Sequence, residues 1–328
     1  MGKHGPRRGS IAYWHRKRAS RLVPRVSVWN TKAAGLTGFA GYKVGMADAV
    51  IVDKSNSPFK DQEVVKPITI VEVPPLFIYA INAYKMTPFG VQQATQVTST
   101  AFKEAKRALT PAKKAKNLDE VEKKINEFAQ LRVLALTQPS KCGVGKKKPD
   151  VVEIALGGTI HEQLATAKNI LGKEVRASDV LKEGQLTDII AVTKGKGWQG
   201  VVKRFGVALN PHKATAHRRK GGSIGPETQA KVFFTIPRAG QMGFHRRTDA
   251  NKRILRISSN ASSSSNPSNV SATPSASTLP PFAHYGFVKG DYVILEGSIP
   301  GPAKRFVRFR IPISKSNIIQ PQVLSLQF

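Results

Sequence analysis

Cysteine and acid are both scarce in this chain, and each scarcity excludes a class of protein. One cysteine, Cys142, in 328 residues leaves no room for an internal disulfide framework or a CxxC metal site. Only 21 acids face 52 lysines and arginines, a formal net charge of +31. Charge of that size disfavours a compact state by self-repulsion, and a polyanion is the usual source of the missing negative charge. Long hydrophobic runs are lacking too. The most apolar stretch, Ile68 to Tyr84, holds Glu72 and the pair Pro74-Pro75 and is too short to span a membrane. No apolar segment follows the basic start, so no secretory signal is expected. The seven histidines show no ligand spacing. The remaining expectation is an intracellular, reduced protein of about two domains, with 40% apolar residues to build a core and a large anionic partner.

The charge is concentrated. Residues 1–32 hold nine bases and no acid, and residues 194–256 hold fifteen bases against Glu227 and Asp249. Those 95 residues therefore carry +22 of the +31, whereas residues 33–193 mix 22 bases with 17 acids. A solvated globular face intersperses both signs, so the two acid-poor segments read as pieces that enter a polyanion. In the first, Tyr13, Trp14 and His15 sit among the charges without helical or strand period. Such a segment reads either as a disordered basic tail or as an arm that orders on RNA, with rings and guanidinium planes stacking on unpaired bases. Extended, 32 residues reach roughly 100 Å at about 3.3 Å each.

From Gly35 the sequence alternates strands and turns. Gly41 to Val52 and Val64 to Val73 are rich in β-branched residues and are split by the turn-forming Asp53 to Pro58. Leu118 to Leu131 places Leu118, Val121, Ile125, Phe128 and Ala129 at helical spacing. Ile160 to Leu171 reads as a second helix ending before Gly172, and Ser178 as the cap of a third over Asp179 to Glu183. Strands resume at Leu186 to Thr193, Lys231 to Ile236, Ile254 to Ile257, Tyr292 to Leu295 and Arg305 to Ile311. Ten of the 24 residues at 258–281 are serine and none is charged, which predicts a flexible surface loop.

Gly195, Gly197 and Gly200 match G-x-G-x-x-G after a strand. A dinucleotide site also needs a helix opening at the loop and an acid roughly 20 residues on. The residues after Gly200 are instead β-branched and basic and are soon broken by Gly206, and no acid precedes Glu227. The glycines are read as letting backbone lie close to a sugar-phosphate chain, with Lys194, Lys196, Lys203 and Arg204 supplying charge. There is no Walker A loop, and no carboxylate near in sequence is placed to orient His212, His217 or His245. No catalytic residue, no metal site and no small-molecule substrate are expected.

The run VTKGKGWQGVVKRF (192–205) continues into HRRKGGSIG (217–225), PRAGQMGFHRRT (237–248) and GSIPGPAKRFVRFR (297–310). With GFAGYKVGM (38–46), TPFG (87–90) and KKKPDVVE (146–153), these blocks resemble the large-subunit ribosomal protein L-three family in its archaeal and eukaryotic branch, from about residue 2 to 312. The resemblance implies an α+β, mainly β fold. A six-stranded β-barrel body (35–75 plus 185–320) would carry an inserted α/β subdomain (76–184), an extended basic N-terminal arm (1–34) and the Ser-rich loop. It also implies a long internal loop, 206–243, whose tip near Ser223, Gly225, Glu227 and Gln229 approaches the peptidyl transferase region.

Implied partners are large-subunit ribosomal RNA and neighbouring large-subunit proteins, in the cytoplasm, with no membrane. The implied role is structural, with a part in early assembly. No cofactor is implied beyond structural Mg2+ held by the RNA. The candidate RNA contacts are Arg7, Arg8, Trp14, Arg16, Lys17 and Arg18 in the arm. Around the loop they are Lys194, Lys196, Trp198, Lys203, Arg204, Lys213, His217, Arg218, Arg219, Lys220, Arg238, Gln241, His245, Arg246 and Arg247, joined by Lys304 and Arg305.

One position departs from the family's pattern. Relatives in this branch commonly carry a tryptophan two residues after the tip IG pair, and here Glu227 stands there. An indole would stack on a base, whereas a carboxylate is repelled by phosphate but accepts hydrogen bonds from base amino groups. Two other readings compete: a nucleic-acid-modifying enzyme, from the glycine loop and the histidines, and a general DNA-coating protein, from net charge alone.

Overall fold

A computed structural model describes residues 15–32, 34–54, 56–99, 103–110, 118–213, 217–225, 230–258, 279–314, 318–319 and 322–328. The chain divides into two compact units. Residues 23–191 with 248–328 form a body, and residues 1–22 with 192–247 form a second, basic unit.

In chain order the strands are β1 (Gly35–Leu36), β2 (Gly38–Val52), β3 (Glu63–Glu72), β4 (Leu76–Thr87), β5 (Gly90–Thr98), β6 (Gln130–Leu136), β7 (Val151–Gly157) and β8 (Glu174–Val175). They continue as β9 (Leu186–Val192), β10 (Trp198–Gln199), β11 (Gly240–Gln241), β12 (Arg246–Ser258), β13 (Tyr292–Glu296), β14 (Phe306–Arg310) and β15 (Gln322–Gln327). The helices are α1 (Leu118–Lys123), α2 (Ile160–Ile170) and α3 (Val201–Phe205). The fold is mainly β, in agreement with the expected class.

One sheet of the body runs β14-β9-β12-β13-β3-β2-β15, and β14 also pairs with β2. Phe309 of β14 lies opposite Ile189 on one side and Phe39 on the other. Six strands thus return on themselves, and β15 adds to β2 outside the ring. Every ring strand contributes to one core: Phe39, Val71, Ile189, Ile254, Val293 and Val307 are each at most 1% exposed. Burying each such side chain stabilises the fold by about 1.5–3 kcal/mol. Alternation sends the other strand faces elsewhere. Ile68, Ile70 and Ile294 join a second cluster with Tyr285 and Tyr292.

A second sheet of the body runs β1-β7-β6-β4-β5, with β8 on β4. Helix α2 buries Leu164 and Ala167 against the same core, and starts at a capping box between Thr159 and Glu162. Gly172 follows it at φ +75°, the left-handed conformation that ends a helix.

Two polar networks fix the interior. Glu72 is fully buried and takes hydrogen bonds from Tyr285 Oη and from the amides of Gly143 (3.0 Å), Lys289 (2.7 Å) and Gly290 (2.7 Å). Burial, followed by the Glu72 carboxylate, pushes the Cys142 thiol and the Tyr285 phenol well above their ordinary values. Arg308 is the second anchor. Its guanidinium donates to the carbonyls of Pro24 (2.9 Å) and Glu153 and lies 5.3 Å from the Trp29 ring. Burial lowers its pKa to about 10, with Glu153 acting in the opposite sense. Arg310 donates to the Val28 carbonyl (3.0 Å) and to Asp188. These bonds lay residues 24–31 of the basic N-terminal segment along the body, where the Gly158 amide also donates to Thr31 (2.8 Å).

Several expected elements differ. Helix α1 stops at Lys123. After a short 3-10 turn at Ile125–Glu127 the chain becomes β6, whose Leu131, Val133 and Ala135 alternate into the core. The third helix is only a 3-10 turn at Ala177–Asp179. Residues 231–236 form a turn rather than a strand. The Ser-rich stretch falls almost wholly at 259–278, outside the described residues.

Candidate nucleic-acid interface

The 78 positions of the basic unit hold 19 lysines and arginines and one acid, Glu227, a net charge of +18. Among its described residues no apolar side chain between 193 and 247, or between 15 and 22, belongs to the buried core. Something other than hydrophobic burial must hold it together.

Backbone bonds and guanidinium groups do so. The two loop legs are laced at their root by Thr193 N to His245 O (2.9 Å), Lys196 N to Met242 O (2.9 Å) and Met242 N to Gly197 O (2.9 Å), beside the pair β10–β11. Gly243 sits at φ +71°, and a Cβ there would stand 2.1 Å from the Lys194 carbonyl oxygen, so only glycine fits. Helix α3 is flanked by Gly200 before it and by Gly206, at φ +70°, after it. A helix does therefore follow the glycine motif, contrary to the sequence reading. It is five residues long, and the unit's lone acid is not on it.

The arm joins this root. The Ala19 amide donates to Phe244 O (2.8 Å), and His245 Nδ1 lies 2.9 Å from Lys17 O. A carbonyl can only accept, so Nδ1 carries the proton. Arg204 extends its fork to three carbonyls, those of Gln241 (3.1 Å), Arg238 (2.9 Å) and Arg16 (3.1 Å). Arg16 returns a bond to Arg204 O and stacks 4.1 Å from the Phe205 centroid, with Arg204 at 5.1 Å. Arg18 lies 4.7 Å from the Phe244 centroid. Contacts of this kind contribute about 0.5–2 kcal/mol each, according to exposure.

Cations crowd here. Burial, then Arg204 and Arg247, lowers the Arg16 pKa, and burial lowers that of Arg204. His245 is held below its ordinary value by burial, helped by Arg247, Arg16 and Arg204 and opposed by the Lys17 carbonyl. Farther out, Asn210 N bonds Arg218 O (3.0 Å), and an open groove of about 780 Å3 is bounded by Lys220, Gly221–Gly225 and Arg238. A Cβ on Gly222 or Gly225 would meet nothing within 4 Å.

The structure brings most of the sequence-selected residues into one unit. Lys17, Arg18, Lys194, Lys196, Trp198, Lys203, Lys213, His217, Arg218, Arg219, Lys220, Ser223, Gly225, Arg238, Arg246 and Arg247 are exposed on it. Arg16, Arg204 and Gln241 are half-buried and His245 is buried, all turned to holding the unit. Lys304 is exposed on the body and Arg305 is half-buried there. Arg7, Arg8, Trp14, Glu227 and Gln229 lie outside the described residues. Sequence reasoning missed Arg308 and Arg310 as anchors of residues 24–28, and missed Phe233 and Phe234, which are exposed. Among the described residues no group of three or more His, Cys, Asp or Glu could hold a metal ion, and no helix is long and apolar enough to cross a membrane.

A mainly β body and a unit of net charge +18 together define a strongly cationic class of protein. The ribosomal protein L3 family model matches residues 1–320. Proteins of the name large ribosomal subunit protein uL3 are similar throughout. That of Caldivirga maquilingensis is 45% identical over 94% of this chain and 90% of its own length. Those of Methanopyrus kandleri and Archaeoglobus fulgidus are 44% and 42% identical over 94% of this chain, covering 87% and 92% of theirs. The chain belongs to the ribosomal protein L3 family, whose members are structural components of the ribosome and not enzymes.

Proposed function

We propose that this chain is a structural constituent of the large ribosomal subunit, in the cytoplasm, and that it binds large-subunit ribosomal RNA directly through its basic unit. The observation that carries this is the +18 unit with a single acid, whose described residues bury one apolar side chain, Val192 at its edge. Such a unit gains little by folding on itself and much by releasing counterions from a polyanion. In this reading the closed six-strand ring corresponds to the barrel body expected of the family. The exposed lysines and arginines from Lys194 to Lys220 and at Arg238 take phosphates, and the 206–243 loop carries its tip toward the peptidyl transferase region. Joining arm and loop in one unit suits early assembly, when RNA must be gathered around a protein. Neighbouring large-subunit proteins complete the surroundings, and structural Mg2+ is held by the RNA.

The test is salt-dependent binding of the full chain to large-subunit RNA. Each of Lys203→Ala, Arg218→Ala, Arg219→Ala and Lys220→Ala should weaken binding by a similar factor and lower the slope of log K against log salt by about 0.7–0.9. A slope unchanged by the quadruple variant would refute direct phosphate binding. Equal affinity for duplex DNA would favour the coating reading.

A further inference from the structure

The basic unit sorts its aromatic rings into two sets. Phe205 is covered by the guanidinium groups of Arg16 and Arg204, and Phe244 by that of Arg18. Trp198, Phe233 and Phe234 have no such cover among the described residues and stand 76%, 54% and 71% exposed. Single exposed apolar residues are ordinary. Phe233 and Phe234 are adjacent, in a turn closed by Ile236 N to Phe233 O (3.2 Å), with Lys231 before them and Arg238 after. Among its described residues the unit offers them no buried cluster to join.

We propose that Phe233 and Phe234 form a base-stacking site for an unpaired, single-stranded stretch of RNA. The inference rests on the RNA-binding reading and deepens it, because it assigns base contact to residues that carry no charge. Charge complementarity selects the occupant: the rings lie in a unit of net charge +18, which attracts phosphate, and a nucleic-acid strand supplies phosphate and flat rings together. Base pairs inside an A-form duplex keep their faces stacked, so only unpaired bases can offer them. Membrane-surface elements present instead a continuous apolar face on an amphipathic helix, whereas these two rings sit in a turn between cations.

The experiment uses the full chain with three probes of equal phosphate number: a single-stranded RNA 12-mer, its abasic counterpart and a blunt RNA duplex. The double variant Phe233→Leu/Phe234→Leu keeps apolar bulk and removes the π faces. Affinity for the single strand should fall about 5- to 100-fold, with the salt slope unchanged. Abasic and duplex binding should stay within about twofold of wild type, and Phe233→Tyr/Phe234→Trp should restore the loss. Unchanged single-strand affinity would overturn the proposal, as would an equal loss on the abasic strand. So would phenylalanine-dependent binding to phosphatidylserine vesicles without any single-strand effect. If the wild-type chain bound none of the RNAs in a salt-dependent way, the RNA-binding reading itself would fall, and this one with it.

Discussion

Arg204 separates a residue that holds the basic unit together from one that holds RNA. Its Nε, Nη1 and Nη2 each donate to a different carbonyl, on Gln241, Arg238 and Arg16. Lysine at this position keeps the charge but has one ammonium in place of a planar fork, so it reaches one of those carbonyls. Two hydrogen bonds from a charged, half-buried donor are then lost, about 1 kcal/mol each and about 2 kcal/mol in total. At 1.4 kcal/mol per factor of ten, local opening of the junction becomes roughly 30-fold easier. Amide exchange is the assay, read at Ala19 and Met242, whose N–H groups close the arm and root contacts. Arg204→Lys should lower protection there by roughly 30-fold, leave the exchange of β13 and β14 unchanged, and leave the salt slope of RNA binding as in wild type. Arg204→Met loses all three bonds and should lower protection further, by roughly 100-fold in all, and still alter the slope by less than one phosphate contact, since the native nitrogens face carbonyls. Wild-type protection in Arg204→Lys, together with a full unit lost from the slope in Arg204→Met, would refute the clasp and make Arg204 a phosphate ligand.

Other expectations rest on the same kinds of contact. Glu72→Gln keeps one acceptor oxygen and turns an NH2 toward donors that formerly met carboxylate. Two charge-assisted bonds are lost, and urea denaturation of the body should show a destabilisation of about 3 kcal/mol. His245 has a folded pKa below its ordinary value, so an opened junction binds the proton more readily than the closed one. Junction stability is therefore full above about pH 6.5 and declines as pH falls below it, with opening rising by at most about tenfold per pH unit. Amide exchange at Ala19 against pH reads this directly, and a polyanion that neutralises the neighbouring arginines should make the decline smaller, because it raises the closed-form pKa toward that of the open form. Gly243→Ala places a methyl against the Lys194 carbonyl at φ +71°, and should abolish protection across the loop root while leaving the melting of the body intact.

The sequence made the ring strands legible where both a β-branched composition and a partner exist, as in β2, β3, β9 and β14. It misled where only one of the two holds. Lys231 to Ile236 has strand composition, but β propensity expresses packing against neighbouring strands, and among the described residues no strand pairs with this segment, which turns instead. Leu118 to Leu131 has helical spacing through Phe128. The alternation of Leu131, Val133 and Ala135 was equally visible, and the core-facing strand prevails once β4 and β7 offer it hydrogen bonds on both edges. Ring closure was not legible from composition, because the pairing of β14 with β2 joins residues more than 250 positions apart.

The same distance hid the character of the basic unit. Its charge excess could be counted from the letters, and the two acid-poor segments could be paired with a polyanion. That they belong to one unit depends on contacts across 188 to 228 residues: Arg16 with Arg204, and Lys17 with His245. These are guanidinium-to-carbonyl and imidazole-to-carbonyl bonds, which leave no spacing signature. Their consequence is a division of labour among like-looking cations. Arg16 and Arg204 bring arm and loop together although both are positive, because carbonyl oxygens and the Phe205 ring take the place that carboxylates occupy in an ordinary protein. The exposed lysines and arginines around them keep their charge for a partner. Replacing the inner set with acid-base pairs would hold the junction as well and would cancel part of the +18, so a junction built on neutral acceptors is what allows this unit to be both assembled and strongly cationic.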